Sequence, residues 1–209
     1  MDDAPAGPRR RLTKPERHAQ LVAVARDLIR DAGTDELTLG RLAERAGVTK
    51  PLVYDHFGDR AGLLAELYRE FEERQRATLA VALDGAEPRL TTVAELVAGA
   101  YVDCCLAEGR ELADVVAALA GSPTLTALRH EAEDAYLVMC RDALEPLAGP
   151  VDAAGLHALT GAGDALARAA LAGRITPGRA RAALARVVVA VATEEPAPTH
   201  PTDPAEATA

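Results

Sequence analysis

Residues Leu37–Leu64 read LTLGRLAERAGVTKPLVYDHFGDRAGLL. Leu39, Leu42, Ala43 and Ala46 recur at helical spacing behind Thr38, a residue suited to an N-cap, and Gly47 closes the segment. Thr49 opens a second short helix running from Lys50 to about His56, and Gly58 breaks it. Between them, Ala46-Gly47-Val48-Thr49 leaves room only for a tight turn. The glycine lets the chain turn, and Leu42, Ala43, Val48 and Val53 can fix the angle between the helices. The pattern is a helix-turn-helix whose second helix would offer its N-terminal residues to a major groove.

Upstream, Thr13-Lys-Pro-Glu16 is a capping box. Leu21, Ala25, Leu28, Ile29 and Ala32 then share one helical face, up to Gly33. Residues 1–12, with Arg9, Arg10 and Arg11, read as a mobile basic arm. Downstream, Asp59 caps a longer helix with the stripe Leu63, Leu64, Leu67, Tyr68, Phe71, Leu79 and Leu83. After the break at Asp84–Pro88, the box Thr92-Val-Ala-Glu95 starts the next helix, and a short one follows near 110–120. Ser122-Pro123 opens a helix that stops near Pro146, Asp152 opens another, and Thr176-Pro177 starts the last, which Pro196 ends. The expectation is an all-α chain of about nine helices. Residues 13–58 form the helix-turn-helix domain, 59–195 a larger helical bundle, and 196–209 a disordered tail.

The whole chain carries a net charge of −9, which argues against a nucleic-acid partner until its distribution is read. Residues 8–60 hold 11 basic and 8 acidic side chains, whereas residues 61–209 hold 12 and 22. A mildly basic head on an acidic body suits a protein that meets phosphate with one end. Apolar residues make up 49% and aromatics 3%, so the core must be built from Leu, Val and Ala, with close helix packing.

Here the chain resembles the TetR (tetracycline-repressor) family. The resemblance covers about residues 13–70: Ala25, Leu28, Ile29 and Gly33 in the first helix, then Leu-Thr, Leu-Ala-x-x-Ala-Gly-Val-Thr-Lys and Tyr-x-His-Phe in order. Gly58-Asp59-Arg60 stands where the family often has Pro-Ser-Lys, which keeps the positive charge at Arg60. The resemblance implies that Thr38 bonds a phosphate, that Thr49 and Lys50 reach phosphate and base edges, and that Pro51 and Leu52 touch bases. It also implies that Tyr54 and His56 hold the duplex backbone and that Arg60 closes the site. Taken singly, Lys50 would be a solvated helix residue and Tyr54 or His56 packing or surface residues. Their joint spacing carries the reading, because hydroxyls, cations and helix N-termini are what phosphate recognition requires. Phe57 reads as a core wedge, and Arg41 and Arg45 as solvated.

The resemblance further implies a regulatory domain that binds a small effector and a homodimer formed through the last two helices. The row Ala154, Ala158, Ala162, Ala165, Ala169 and Ala172 would permit close helix approach, and Leu184 and Val188 lie on the apolar face of the last helix. The same residues would serve equally well inside one subunit. Candidate pocket residues are Tyr101, Cys104, Cys105, Tyr136, Met139, Cys140 and His157, whose apolar surroundings suit an apolar or aromatic compound with few polar groups. Each is also compatible with ordinary core packing.

The three cysteines have no metal-ligand spacing, and His130 with Glu131, Glu133 and Asp134 spreads around a helix, so neither a metal nor a cofactor is expected. P-loop, dinucleotide, GxSxG and HExxH patterns are missing, and Gly161-Ala-Gly163 lies in a helical pattern, so no enzyme is expected. The N-terminus lacks an apolar stretch, and a run such as Val187–Ala192 is too short for a bilayer, which predicts a cytoplasmic protein without a membrane partner. The functional expectation is a repressor that binds a palindromic double-stranded DNA operator as a dimer and is released by its effector. The alternatives are an activator or architectural DNA binder without a ligand, or an all-helical ligand-binding protein.

Overall fold

The protein's computed structural model describes residues 12–119 and 122–194. Apart from Leu12, the expected basic arm lies outside the described residues, as does the expected tail. The elements are α1 (Lys14–Ala32), a 3₁₀ turn (Thr34–Glu36), α2 (Leu39–Ala46), α3 (Lys50–Phe57), α4 (Arg60–Leu83), α5 (Leu90–Leu119), α6 (Pro123–Ala148), α7 (Ala153–Leu171) and α8 (Pro177–Thr193). Among the described residues there is no strand.

Local chemistry sets most of the helix starts. Thr13 and Glu16 form the reciprocal capping box at α1, and Thr38 Oγ1 accepts from the Arg41 amide at α2. Asp59 Oδ1 accepts from Gly62 N at 2.8 Å, Asp152 accepts from Ala154 and Gly155 at α7, and Thr176 accepts from Arg179 at α8. These bonds satisfy amides that a helix leaves without partners.

Three boundaries differ from the sequence reading. α5 begins at Leu90 because the Val93 amide already bonds the Arg89 carbonyl at 2.9 Å, which places Thr92 and Glu95 inside the helix. The short helix expected near 110–120 is the second part of α5, set off by a break at Gly109, where φ is 63° and ψ is −142°. α6 runs through Pro146 to Ala148. A proline so near the end removes one backbone bond only, and Gly149 N closes the last turn on Glu145 O at 3.0 Å. The 3₁₀ turn, closed by Leu37 N on Thr34 O at 3.1 Å, has no counterpart in the sequence reading.

The chain divides into two compact units. The first holds the described residues up to Glu73 together with Glu108–Ala132, so the expected boundary at residues 58 and 59 falls inside it. Its core joins Leu21, Ala25 and Ile29 of α1, Leu42 and Ala43 of α2, Val53 and Phe57 of α3, and Leu63 and Leu64 of α4, all buried. The second holds Arg74–Ala107 and the described residues from Glu133 onward. There α7 packs on α8, with Leu156, Leu159, Leu184 and Val188 buried. The segment Leu90–Gly109 of α5 is long and apolar enough, by length and composition, to cross a membrane, although Glu95 and Asp103 interrupt its apolar residues. Half of it is covered by protein, including Val97, Tyr101 and Val102.

Candidate nucleic-acid interface

Gly47 adopts the left-handed conformation (φ 65°, ψ 37°) between α2 and α3, and its amide bonds Ala43 and Glu44 carbonyls. The next amide, Val48 N, also reaches Ala43 O, at 3.0 Å. A residue with a Cβ is strained at this φ, so glycine at the turn is a geometric requirement. Burial of Leu39, Leu42, Val53 and Phe57 then orients α3 so that one face is inside and the other is free.

Thr38, Thr49, Lys50, Pro51 and Tyr54 are exposed, Tyr54 at 53%, and Leu52 and His56 are half-buried. Thr49 is the N-cap of α3 yet makes no side-chain capping bond, so its hydroxyl is not used by the helix it starts. Thr38 and Lys50 converge over Gly40. A methyl group placed there would lie 3.6 Å from Lys50 Cε, 3.7 Å from Lys50 Nζ and 3.9 Å from Thr38 Oγ1. A hydroxyl and an ammonium group therefore share one exposed corner beside the first turn of α2, an arrangement suited to a phosphate oxygen.

Arg60 makes two hydrogen bonds that the sequence reading did not anticipate. Its Nε donates to Leu37 O at 3.0 Å and its Nη2 to Thr34 O at 2.8 Å. The guanidinium thus ties the start of α4 to the segment leading into α2, and its direct effect is to hold the turn. The ion pairs Arg41–Glu36 and Arg45–Asp31 cover two further arginines of the head with acids.

Sequence pattern missed the contribution of α1. Its first turns bring Lys14 within 3.5 Å of Asp55, and the His18 ring lies tilted against both His56 (centroids 5.6 Å apart) and Phe57 (5.2 Å). His18 Nε2 also lies 3.2 Å from Glu66. Burial, then the nearby His18 and Lys14, push the His56 imidazole below its ordinary value, so it is neutral at pH 7. Lys14, Arg17 and His18 do form a polar face at helical spacing. Nothing local tells which element that face meets.

In the second unit, the pocket candidates separate. Tyr101, Cys104, Cys105, Tyr136 and Cys140 are buried, and the two tyrosine rings meet edge to face at 5.6 Å. Burial raises both hydroxyls and pushes the Cys140 thiol up to about 12, so these groups stay protonated. Tyr101 donates to Asp164 Oδ1 at 2.7 Å and crosses α7 at Gly163, where an added Cβ would fall 2.5 Å from the ring. Gly163→Ala is accordingly expected to lower stability by about 1–3 kcal/mol, read as a fall in melting temperature. An unchanged value would mean that the ring moves aside freely. His157 is exposed, 3.8 Å from Glu133. Met139 lines an open cleft of about 440 Å³, with Leu83, Val93, Asp142 and Leu147.

The interface candidates separate as well. Ala158 and Ala165 are exposed on α7, with Ala162 and Ala169 half-buried. Leu184 and Val188 have no exposed surface and pack in the core beneath α8. The outer face of α8 instead carries Ala182, Ala185, Val189 and Ala190 along an open groove of about 630 Å³, edged by Glu95, Arg181 and Arg186. Among the described residues no group of three or more His, Cys, Asp or Glu side chains is placed to hold a metal ion.

Residues 21–67 match the family described as bacterial regulatory proteins, tetR family. The chain is 39% identical over 72 residues to the HTH-type transcriptional activator FasR of Mycolicibacterium smegmatis, covering 32% of this chain and 33% of that protein. It is 30% identical over 87 residues to the HTH-type transcriptional regulator BetI of Cronobacter sakazakii, covering 39% and 43% respectively. Thus the matches span less than half the length of these curated relatives. The fold is similar to that of a putative transcriptional regulator from Pseudomonas aeruginosa (TM-score 0.74, 18% identity, 87% of this chain and 93% of that one). It is also similar to a putative TetR-family regulator from a Rhodococcus species (TM-score 0.68, 20% identity, 85% and 98%).

Proposed function

Because the chain is a TetR-family transcriptional regulator with a DNA-binding helix-turn-helix, we propose that it acts in the cytoplasm as a homodimeric repressor. Two recognition helices related by a two-fold axis read a palindromic operator, and a small apolar or aromatic effector releases it. The observation that carries this reading is the outward face of α3, where Thr49, Lys50, Pro51 and Tyr54 are exposed above buried Val53 and Phe57. Thr38 and Lys50 take a phosphate at their shared corner. Arg60 acts by holding the turn.

The cleft beside Met139 has apolar walls and one carboxylate, Asp142, which suits an apolar effector with a polar or cationic group. Such a ligand releases DNA by binding better to a conformation whose heads are spaced wrongly for the operator. The similarity to an activator, over 32% of this chain, supports activation as the second reading.

Selection from a random DNA library identifies the operator. Lys50→Ala then lowers affinity by about 1–3 kcal/mol and reduces the slope of log affinity against log salt by roughly one, since a lost phosphate cation releases no counterion. Tyr54→Phe and His56→Ala weaken all sites alike and leave the slope unchanged, because a hydroxyl and a neutral imidazole release no counterion. Operator binding by all three variants at wild-type strength would displace α3 from the interface. A reporter that rises when the protein is supplied would replace repression by activation.

A further inference from the structure

Away from the reading face, charge is concentrated between α1 and the part of α5 beyond Gly109. Arg26 Nε donates to Glu111 Oε1 at 2.6 Å, and its Nη2 donates to Glu108. Arg30 Nη1 lies 3.5 Å from the second Glu111 oxygen. The Arg26, Glu108 and Glu111 side chains are only 22%, 10% and 7% exposed, unlike the half-exposed pairs Arg41–Glu36 and Arg45–Asp31. Burial pushes the Glu111 carboxyl above its ordinary value, and Arg26 and Arg30 oppose that rise.

Such a cluster adds little net stability compared with apolar packing, yet it fixes geometry, because separating buried partners is costly. The backbone supplies a need for that geometry. Gly109 interrupts α5 in a conformation that only glycine adopts readily, so the preceding helix does not dictate the direction of residues 110–119. Residues Glu108–Ala132 nonetheless belong to the same compact unit as the reading head. α1, which the cluster grips, touches α3 through His18 and Phe57.

We propose that Glu108 and Glu111 are positioning residues for DNA binding: by gripping Arg26 and Arg30 they hold α1, and with it α3, in the attitude that fits the operator. None of the four touches DNA. The inference rests on the operator reading above, and it places part of the determinants of DNA affinity some fifty residues beyond the helix-turn-helix.

The test uses the full chain and the operator recovered by selection. Glu111→Ala is expected to lower affinity about tenfold, within the range for coupling residues that touch neither partner. The salt slope should stay at its wild-type value, and amide exchange in residues 110–119 should quicken. A purely stabilising role would move the melting temperature and exchange without moving affinity. Arg26→Ala should lower affinity and protection in the same way, and the double variant Arg26→Ala/Glu111→Ala should lose less than the two single losses combined. If the alanine variant does not fold, Glu111→Gln, which keeps the shape and loses the charge, decides by the same readings. Wild-type affinity in the folded single variant, a reduced salt slope, or fully additive losses in the double variant each overturns the proposal. Failure of the wild-type chain to select any DNA would instead overturn the operator reading.

Discussion

Replacing Ala165 with arginine is expected to halve the mass of the protein in solution at micromolar concentration while leaving each subunit folded. Ala165 is exposed on α7, in line with exposed Ala154 and Ala158, so a larger side chain there meets nothing within its own subunit. Methyl-sized side chains let two helices approach closely, and in a two-fold interface the substitution is repeated on both partners. Two guanidinium groups would then be brought together and stripped of water, which is costly for like charges. Operator affinity should fall by about 100-fold or more, since a dimer turns the second head's binding into an intramolecular event. Light scattering and circular dichroism read the two effects separately. A wild-type mass in the variant would move the alanine row away from the interface, and a monomeric wild-type protein would remove the dimer altogether.

Leu184→Ala is expected to do the reverse. Leu184 is fully buried where α8 packs on α7, and removing three carbons from a filled core costs about 2–5 kcal/mol. For a chain of this size a loss of about 3 kcal/mol lowers the melting temperature by roughly 6–12 °C. The mass of the folded protein should not change. A variant that melts like the wild type but dissociates would return Leu184 to the interface where sequence reasoning had put it.

The two substitutions together separate packing within a subunit from packing between subunits, which helical periodicity does not do. Leu184 and Val188 form a row as regular as Ala158, Ala162, Ala165 and Ala169. Both rows are apolar, and only the fold tells which one its own subunit covers. The outer face of α8, with Ala182, Ala185, Val189 and Ala190, was overlooked because alanine and valine between arginines give a weak stripe. The pocket candidates carry a related ambiguity. Tyr101, Tyr136 and the cysteines are the bulky or polarisable residues of the body, and such residues fill gaps in a core of small side chains as readily as they line a cavity.

What the sequence by itself determined is whatever is local. The helix starts at Thr13, Thr38, Asp59, Asp152 and Thr176 follow from side chains three residues or fewer from the amides they cap. The turn at Gly47 and the exposed face of α3 follow from spacing alone, because a helix with Val53 and Phe57 inside has only one way to present Thr49, Lys50 and Tyr54. The tertiary structure decided everything that depends on a distant partner. Arg60 gives two of its five donors to carbonyls 23 and 26 residues away, and Arg26 finds its carboxylates 82 and 85 residues away. A guanidinium reads the same in the sequence whether it meets a phosphate, a carbonyl or a carboxylate. Which of these it meets is set by the packing of the apolar faces, and that is a property of the whole chain.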